Sequence, residues 1–137
     1  MPEDNKTLIR QAWDEIFNKK NLDAVDKYFA EDAAIGFAPP GIPPDREGFK
    51  QIIGPYLTAF PDLRVAIEDQ VAEDGTIASR FKVSGTHKGE FAGLPPSGKQ
   101  IDYDGLNFIK VRDGKIVEVW GASDQLRLMR QIGAVPS

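Results

Sequence analysis

The chain has 137 residues, an apolar share of 41% and a formal net charge of -4, values that suit one soluble globular domain built on one core. Its charges are scattered and form no basic stripe, which argues against nucleic acid as a partner. Cysteine is absent and histidine occurs once, so disulfides, thiolate zinc sites, iron–sulfur clusters and multi-histidine metal centres within one chain are excluded.

The opening MPEDNKTLIRQAWDEIF is acidic and amphipathic, unlike a secretory leader, and no apolar run approaches membrane-span length. The expectation is a cytoplasmic protein without a membrane partner. Leu8, Ile9, Ala12, Trp13, Ile16 and Phe17 recur at helical spacing, predicting a helix over about 4–18. Asn21 or Asp23 can cap a short second helix with Val25, Tyr28 and Phe29, and residues 33–37 form a strand candidate. The segment APPGIPPD, residues 38–45, cannot be regular structure, because proline fixes φ and lacks a donor. Asp45 then caps a third helix carrying Phe49, Ile52, Ile53, Tyr56 and Leu57, with a kink expected at Pro55 and an end at Pro61.

The second half reads as strands. Leu63, Val65, Ile67, Asp69 and Val71 alternate, and strands over 77–87, 100–112 and 115–122 follow. Asp74-Gly75 and Asp113-Gly114 suit tight hairpin turns that need positive φ. A closing helix over about 124–132 presents Leu126, Leu128, Met129 and Ile132, with Gly133 as its stop. Helices first and an antiparallel sheet afterwards predict a single α+β domain over 1–137. Its N-terminal helices should pack on the concave face of a curved, mostly antiparallel sheet, with a short helix at the C-terminus.

A two-residue turn at Asp113-Gly114 pairs Arg112 with Lys115. Strict counting then pairs Val111 with Ile116, Ile109 with Glu118, Asn107 with Trp120 and Gly105 with Ala122. One face would then carry Tyr103, Asn107, Ile109, Glu118 and Trp120, and the other Leu106, Phe108, Lys110, Val117 and Val119. Both faces hold large apolar groups, so one should meet the helices and the other a second subunit. A carboxylate and an amide on an otherwise apolar inner face suggest a pocket with a few placed polar groups. The plainer alternative is that Glu118 pairs with Arg80 and Trp120 fills core.

The run GTHKGEFAGLPPSGKQIDY, residues 85–103, and the run KVRDGKIVEVWGASDQLRLMRQIG, residues 110–133, resemble the SnoaL-like polyketide cyclases of the nuclear-transport-factor-two-like superfamily. AFPDLRVAIEDQVAEDG, residues 59–75, and NLDAVDKYFAEDA in the first half fit the same family. The resemblance implies a cone-shaped fold with a deep pocket and, commonly, a homodimer through the sheet. It implies aldol-type ring closure without metal or cofactor, with an aspartate just after the Trp-bearing strand as general acid/base. Asp124 matches that aspartate. Asn107 stands where those cyclases offer a histidine, and an amide cannot carry a proton in the same way.

Asp124 also has a structural reading as the cap of the last helix. His87, beside the 89–98 loop, can donate to a substrate oxygen or simply bond the backbone. The loop GLPPSGKQ lacks the donors, hydroxyl and following helix of a phosphate cradle, and a rim or lid suits it better, with Phe91 as lid or anchor. Trp13, Phe17, Phe49, Tyr56 and Phe60 can line a pocket or fill core. The expected catalytic group set is therefore Asp124, Asn107 and His87, with Trp120, Glu118, Tyr103, Ile109, Phe91 and Trp13 around a small hydrophobic carbonyl compound. The same proton transfer would serve an isomerase as well as an aldol-type cyclase; the competing readings are a ligand-binding or association module of the same fold, and an epoxide-hydrolase-like hydrolase.

Overall fold

Both Asp–Gly pairs make the turns their chemistry demands. Asp74 and Gly75 stand at φ 51° and 78°, and Asp113 and Gly114 at 51° and 74°, the left-handed pair of a tight hairpin. These turns join β2 (Arg64–Glu73) to β3 (Thr76–Thr86) and β4 (Gln100–Arg112) to β5 (Lys115–Ser123). In the computed structural model, which describes residues 2–136, a five-stranded sheet has the order β1-β5-β4-β3-β2. Its pairs are antiparallel except β1 (Phe29–Ile35), which joins β5 in parallel. Met1 and Ser137 lie outside the described residues.

The helices cover one side of this sheet, as the α+β expectation requires. The first amphipathic run is α1 (Pro2–Trp13) followed by a π-helical turn (Asp14–Asn18), then α2 (Ala24–Tyr28). Asp45 accepts from Gly48 N at 3.0 Å and starts α3 (Arg46–Ala59), which runs on through Pro55. Gly133, at φ 85°, ends α4 (Gln125–Ile132). Ile9, Ile16, Val25, Phe29, Ile77, Ile109, Ile116 and Val119 are among the almost fully buried side chains between helices and sheet.

The π turn has a consequence for the site. It widens the helix by one residue per turn, and such turns often occur beside functional sites. Here it leaves Trp13 and Phe17 on the sheet side and turns Asn18 toward the edge strand. The Asn18 amide accepts from Val65 N at 2.8 Å and donates to Val65 O at 3.1 Å, while Arg10 donates to Ile67 O at 3.0 Å. Those bonds tie the helix to the free edge of β2 and occupy backbone groups that would otherwise invite another strand.

The register of the last hairpin differs from strict counting. Arg112–Lys115 and Val111–Ile116 pair as expected, but Lys110 then faces Glu118, Ile109 faces Val119, Phe108 faces Trp120 and Asn107 faces Gly121. One extra residue, Val117, makes a bulge, and every later side chain of β5 changes face. Glu118 and Trp120 therefore stand on the outer face with Phe108, while Val119 turns inward. The sequence carries a signal for this: the bulged register sets Glu118 against Lys110, an opposite-charge pair, rather than against Ile109.

Candidate functional site

Between the inner face of the sheet and α1, the π turn and α3 lies a cavity of about 440 Å3. Trp13 and Phe17 wall it from the first helix, Phe49, Ile53 and Tyr56 from α3, and Val65, Phe81 and Val83 from the sheet. Gly105 is required here: a Cβ on it would stand 2.3 Å from the Phe81 ring, which lies across the glycine from the paired strand. At Gly121 a Cβ would meet Leu106 O at 3.3 Å and Asn107 Cβ at 3.4 Å, a close but tolerable fit.

The cavity's polar groups are few. Asn107 reaches it from β4 and is only 6% exposed, with a buried Oδ1 that has no hydrogen-bond partner. Four residues earlier on the same strand face is Tyr103, on the order of 13 Å away at ordinary strand rise. A chain of side chains closes that end. Tyr56 Oη donates to Gln125 Oε1 at 2.9 Å, and Gln125 Nε2 donates to Ser123 Oγ at 2.6 Å. Burial pushes the Tyr103 phenol well above its ordinary range, with Tyr56 adding to the shift and Gln125 opposing it. Burial also raises Tyr56, against the bond to Gln125. Both phenols thus stay protonated near neutral pH and act as donors. Among the described residues the cavity wall contains no carboxylate, amine, guanidinium or imidazole.

The structure thus brings Asn107, Tyr103 and Trp13 together at one cavity and places the other expected residues elsewhere. Glu118 and Trp120 are corrected to the outer face by the Val117 bulge. There Trp120 Nε1 donates to Glu118 Oε2 at 3.0 Å, Lys110 pairs with Glu118 at 3.6 Å rather than Arg80, and the indole covers Gly36, whose Cβ would be 2.3 Å from the ring. Ile109 is fully buried core and not cavity wall. Phe91 anchors the 89–98 loop, its ring 5.0 Å from that of Tyr56 and 5.3 Å from that of Phe60. His87 is fully buried outside the cavity: Nδ1 accepts from Ser97 N at 3.3 Å and lies 2.9 Å from Ser97 Oγ, so the ring pins the loop.

Asp124 sits where α4 begins. Its carboxylate accepts from Arg127 N at 3.1 Å, as an N-cap does, and opens onto a shallow surface hollow with Leu126, Arg127 and Arg130. Its two sequence neighbours, Ser123 and Gln125, both line the cavity, so its backbone is at the rim even though its carboxylate is turned out. Gln125, Ser123 and Phe81 were not candidates in the sequence. Strand alternation through an unbulged β5 points Ser123 away, and Gln125 is a polar residue on a helix whose sequence signal is its apolar stripe. Among the described residues no cluster of three or more His, Asp or Glu is placed to hold a metal ion, and no helix is long and apolar enough to cross a membrane.

The fold that surrounds this hollow has counterparts in known proteins. The model of SnoaL-like polyketide cyclases matches residues 7–132. The chain belongs to the SnoaL-like polyketide cyclase family. Similarity extends to the nogalonic acid methyl ester cyclase of Streptomyces nogalater, 26% identical over 85% of this chain and 89% of that one. Among solved structures, IdmH of Streptomyces antibioticus, a candidate polyketide cyclase, is 35% identical with a TM-score of 0.80 over 94% of this chain and 98% of that one. AclR of Streptomyces galilaeus, at 24% identity and TM-score 0.87 over 100% of this chain and 85% of that one, shows the same fold. This SnoaL-like chain has the unclosed mixed sheet and helical cover of those relatives.

Proposed function

We propose that this chain is a small-molecule enzyme that closes or rearranges an apolar carbonyl compound in its inner cavity by acid/base chemistry. The observation that carries the reading is the Asn107 amide, buried at the cavity wall among apolar side chains and facing a strand that ends at Ser123, one residue before Asp124. An amide donor in such surroundings stabilises a developing enolate oxygen far better than water does. In this reading Asp124 leaves its cap, at a cost of about 1 kcal/mol, and takes a proton from the carbon beside the carbonyl. The enolate carbon attacks a second carbonyl of the same molecule, and the new alkoxide takes the proton back from Asp124. Tyr103, held protonated on the same side as the Asp124 rim, hydrogen-bonds a second oxygen of the ligand.

A second reading is binding without turnover. It is favoured by the uncharged cavity wall and by the outward carboxylate of Asp124. A thermal-shift screen of small aromatic ketones and diketones, followed by mass spectrometry of the products, separates the two. The enzyme reading expects Asp124→Asn to retain ligand binding and to lose turnover, since asparagine caps a helix about as well as aspartate. Equal turnover by both proteins removes Asp124 as the base. Binding by both with turnover by neither leaves a binding module.

The outer face supports a partner of its own kind. Leu106, Phe108 and Trp120 are each more than half exposed there, and the pairs Lys82–Asp104 and Lys110–Glu118 offer both signs of charge beside them. Such an apolar strip on a monomer invites association. In our reading two copies pair through this face, leaving each cavity on the far side of its own sheet.

A further inference from the structure

Where the cavity meets the face of a strand it is lined by alternate residues, as by Phe81 and Val83 on β3. Along β5 it is lined by three in a row, Gly121, Ala122 and Ser123, so there it reaches the side of the strand. Gly121 and Ala122 are exposed, and the cavity opens at this point. The reason lies in β1. Its pairing with β5 stops at Ile35, Gly36 N donates to Val119 O at 2.9 Å, and the chain then leaves the sheet at Phe37. Beyond that point β5 is a sheet edge. The opening is framed on one side by the Phe37 ring, 6.3 Å from that of Phe49, and on the other by the 2.9 Å bond from Tyr56 to Gln125. Ile52, between Phe49 and Tyr56 on α3, completes the rim.

The direction of the Gly121 main chain follows from its neighbours. On a strand the N–H and C=O of one residue point to one side and those of the next to the other. The register is unbroken from Glu118 to Ser123. Val119 O faces β1, and Asp124 N donates to Asp104 O at 3.0 Å on the β4 side. Gly121 is two residues after Val119, so its N–H and C=O point away from β4 into the opening, where neither has a partner among the described residues. Gly121 has no left-handed φ, and a Cβ would fit, so neither backbone nor packing demands glycine. What the missing side chain provides is close approach to the backbone.

We propose that the main chain of Gly121 is a ligand-binding group, whose N–H donates to a carbonyl oxygen that the ligand carries at the cavity mouth. This recognition point is separate from Asn107 and Tyr103, whose side chains both come from β4. It takes a neutral carbonyl rather than a carboxylate, because the Gly121 C=O on the same side would repel a second anionic oxygen. The stretch of edge between the two frames is too short to receive another strand. The proposal rests on the reading of the cavity as a small-molecule site, and it adds to that reading a preference for ligands with a carbonyl at their outer end.

The test uses the 137-residue chain, labelled with nitrogen-15, and two ketones of equal length, 1-(2-naphthyl)hexane-1,5-dione and 1-(2-naphthyl)hexan-1-one. Wild type should bind the dione about fivefold more tightly, and only the dione should move the Gly121 amide proton downfield. Gly121→Ala, which keeps the N–H, should retain the preference. Gly121→Pro removes the N–H where β5 is an edge and no ladder bond is lost, and should bind both ketones alike. Equal binding of the two ketones by wild type, with the Gly121 signal unmoved, overturns the proposal and leaves the cavity reading standing. A preference that survives Gly121→Pro does the same. If neither ketone binds wild type, the cavity reading fails and the proposal with it. If Gly121→Pro does not fold, the Gly121 amide proton of wild type decides: a downfield shift with the dione alone supports the proposal, and no shift overturns it.

Discussion

Two neighbouring rows of the sheet, one residue apart in sequence, invert the usual arrangement of a half-buried sheet. On the inner face stand Gln70, Ser79, Asn107 and Gly121; on the outer face stand Val71, Ala78, Phe108 and Trp120. The polar row is under the helices and the apolar row is against solvent, with Val71, Phe108 and Trp120 all more than half exposed. Burial alone would assign them the other way. Polar groups persist inside when they have a ligand or a fixed network to serve, and apolar ones persist outside when another surface covers them. In our reading the inversion marks two working surfaces back to back: a small-molecule cavity and a subunit contact.

The two tryptophans offer the largest test of this contrast. Trp13, 4% exposed, lies against Phe29 with ring centres 6.3 Å apart and against Phe49 at 6.1 Å. Trp13→Ala should cost about 3–5 kcal/mol in urea unfolding. Trp120→Ala, on the other face, should cost the isolated chain much less but weaken self-association, as should Phe108→Glu. Sedimentation at micromolar concentration checks this, and an unchanged mass for wild type and Phe108→Glu breaks the outer half of the comparison. Gly105→Val is expected to cost about 1–3 kcal/mol and to abolish ketone binding, because the new side chain and Phe81 claim the same space. Gly98→Ala, at φ 72° in the loop with no atom within 4 Å of the new Cβ, should cost only backbone strain and leave binding intact. The smallest effect concerns acid. Bonds from Gln131 and Arg127 hold the Asp102 carboxyl below its ordinary range. A depressed carboxyl stabilises the fold above its unfolded pKa, and that contribution disappears as pH falls below about 4. Asp102→Asn should flatten the acid limb of the stability profile, read as melting temperature against pH.

Much of this architecture is legible in the residues. The helix caps at Asp45 and Asp124, the stop at Gly133 and both Asp–Gly turns follow from local chemistry, which few tertiary contacts override. Register is less local. Counting from the Asp113-Gly114 turn succeeds for two pairs and fails at Val117, because a bulge is decided by which side chains fit each face. That single residue moved Glu118 and Trp120 out of the expected pocket and brought Gly121 and Ser123 into it. Asn107, Tyr103 and Trp13 were found because β4 and α1 keep their regular periods. The Tyr56–Gln125–Ser123 chain joins α3 to the junction of β5 and α4, 69 residues further on, and no local pattern announces it.

The most direct measurement follows the two indole N–H signals while 2-acetonaphthone is added to the 137-residue chain, since this sequence contains two tryptophans. If the inner face is the ligand surface, the Trp13 signal moves in proportion to occupancy and the Trp120 signal stays in place at constant protein concentration. Movement of Trp120 with Trp13 unchanged would put the ligand on the opposite face and contradict the account.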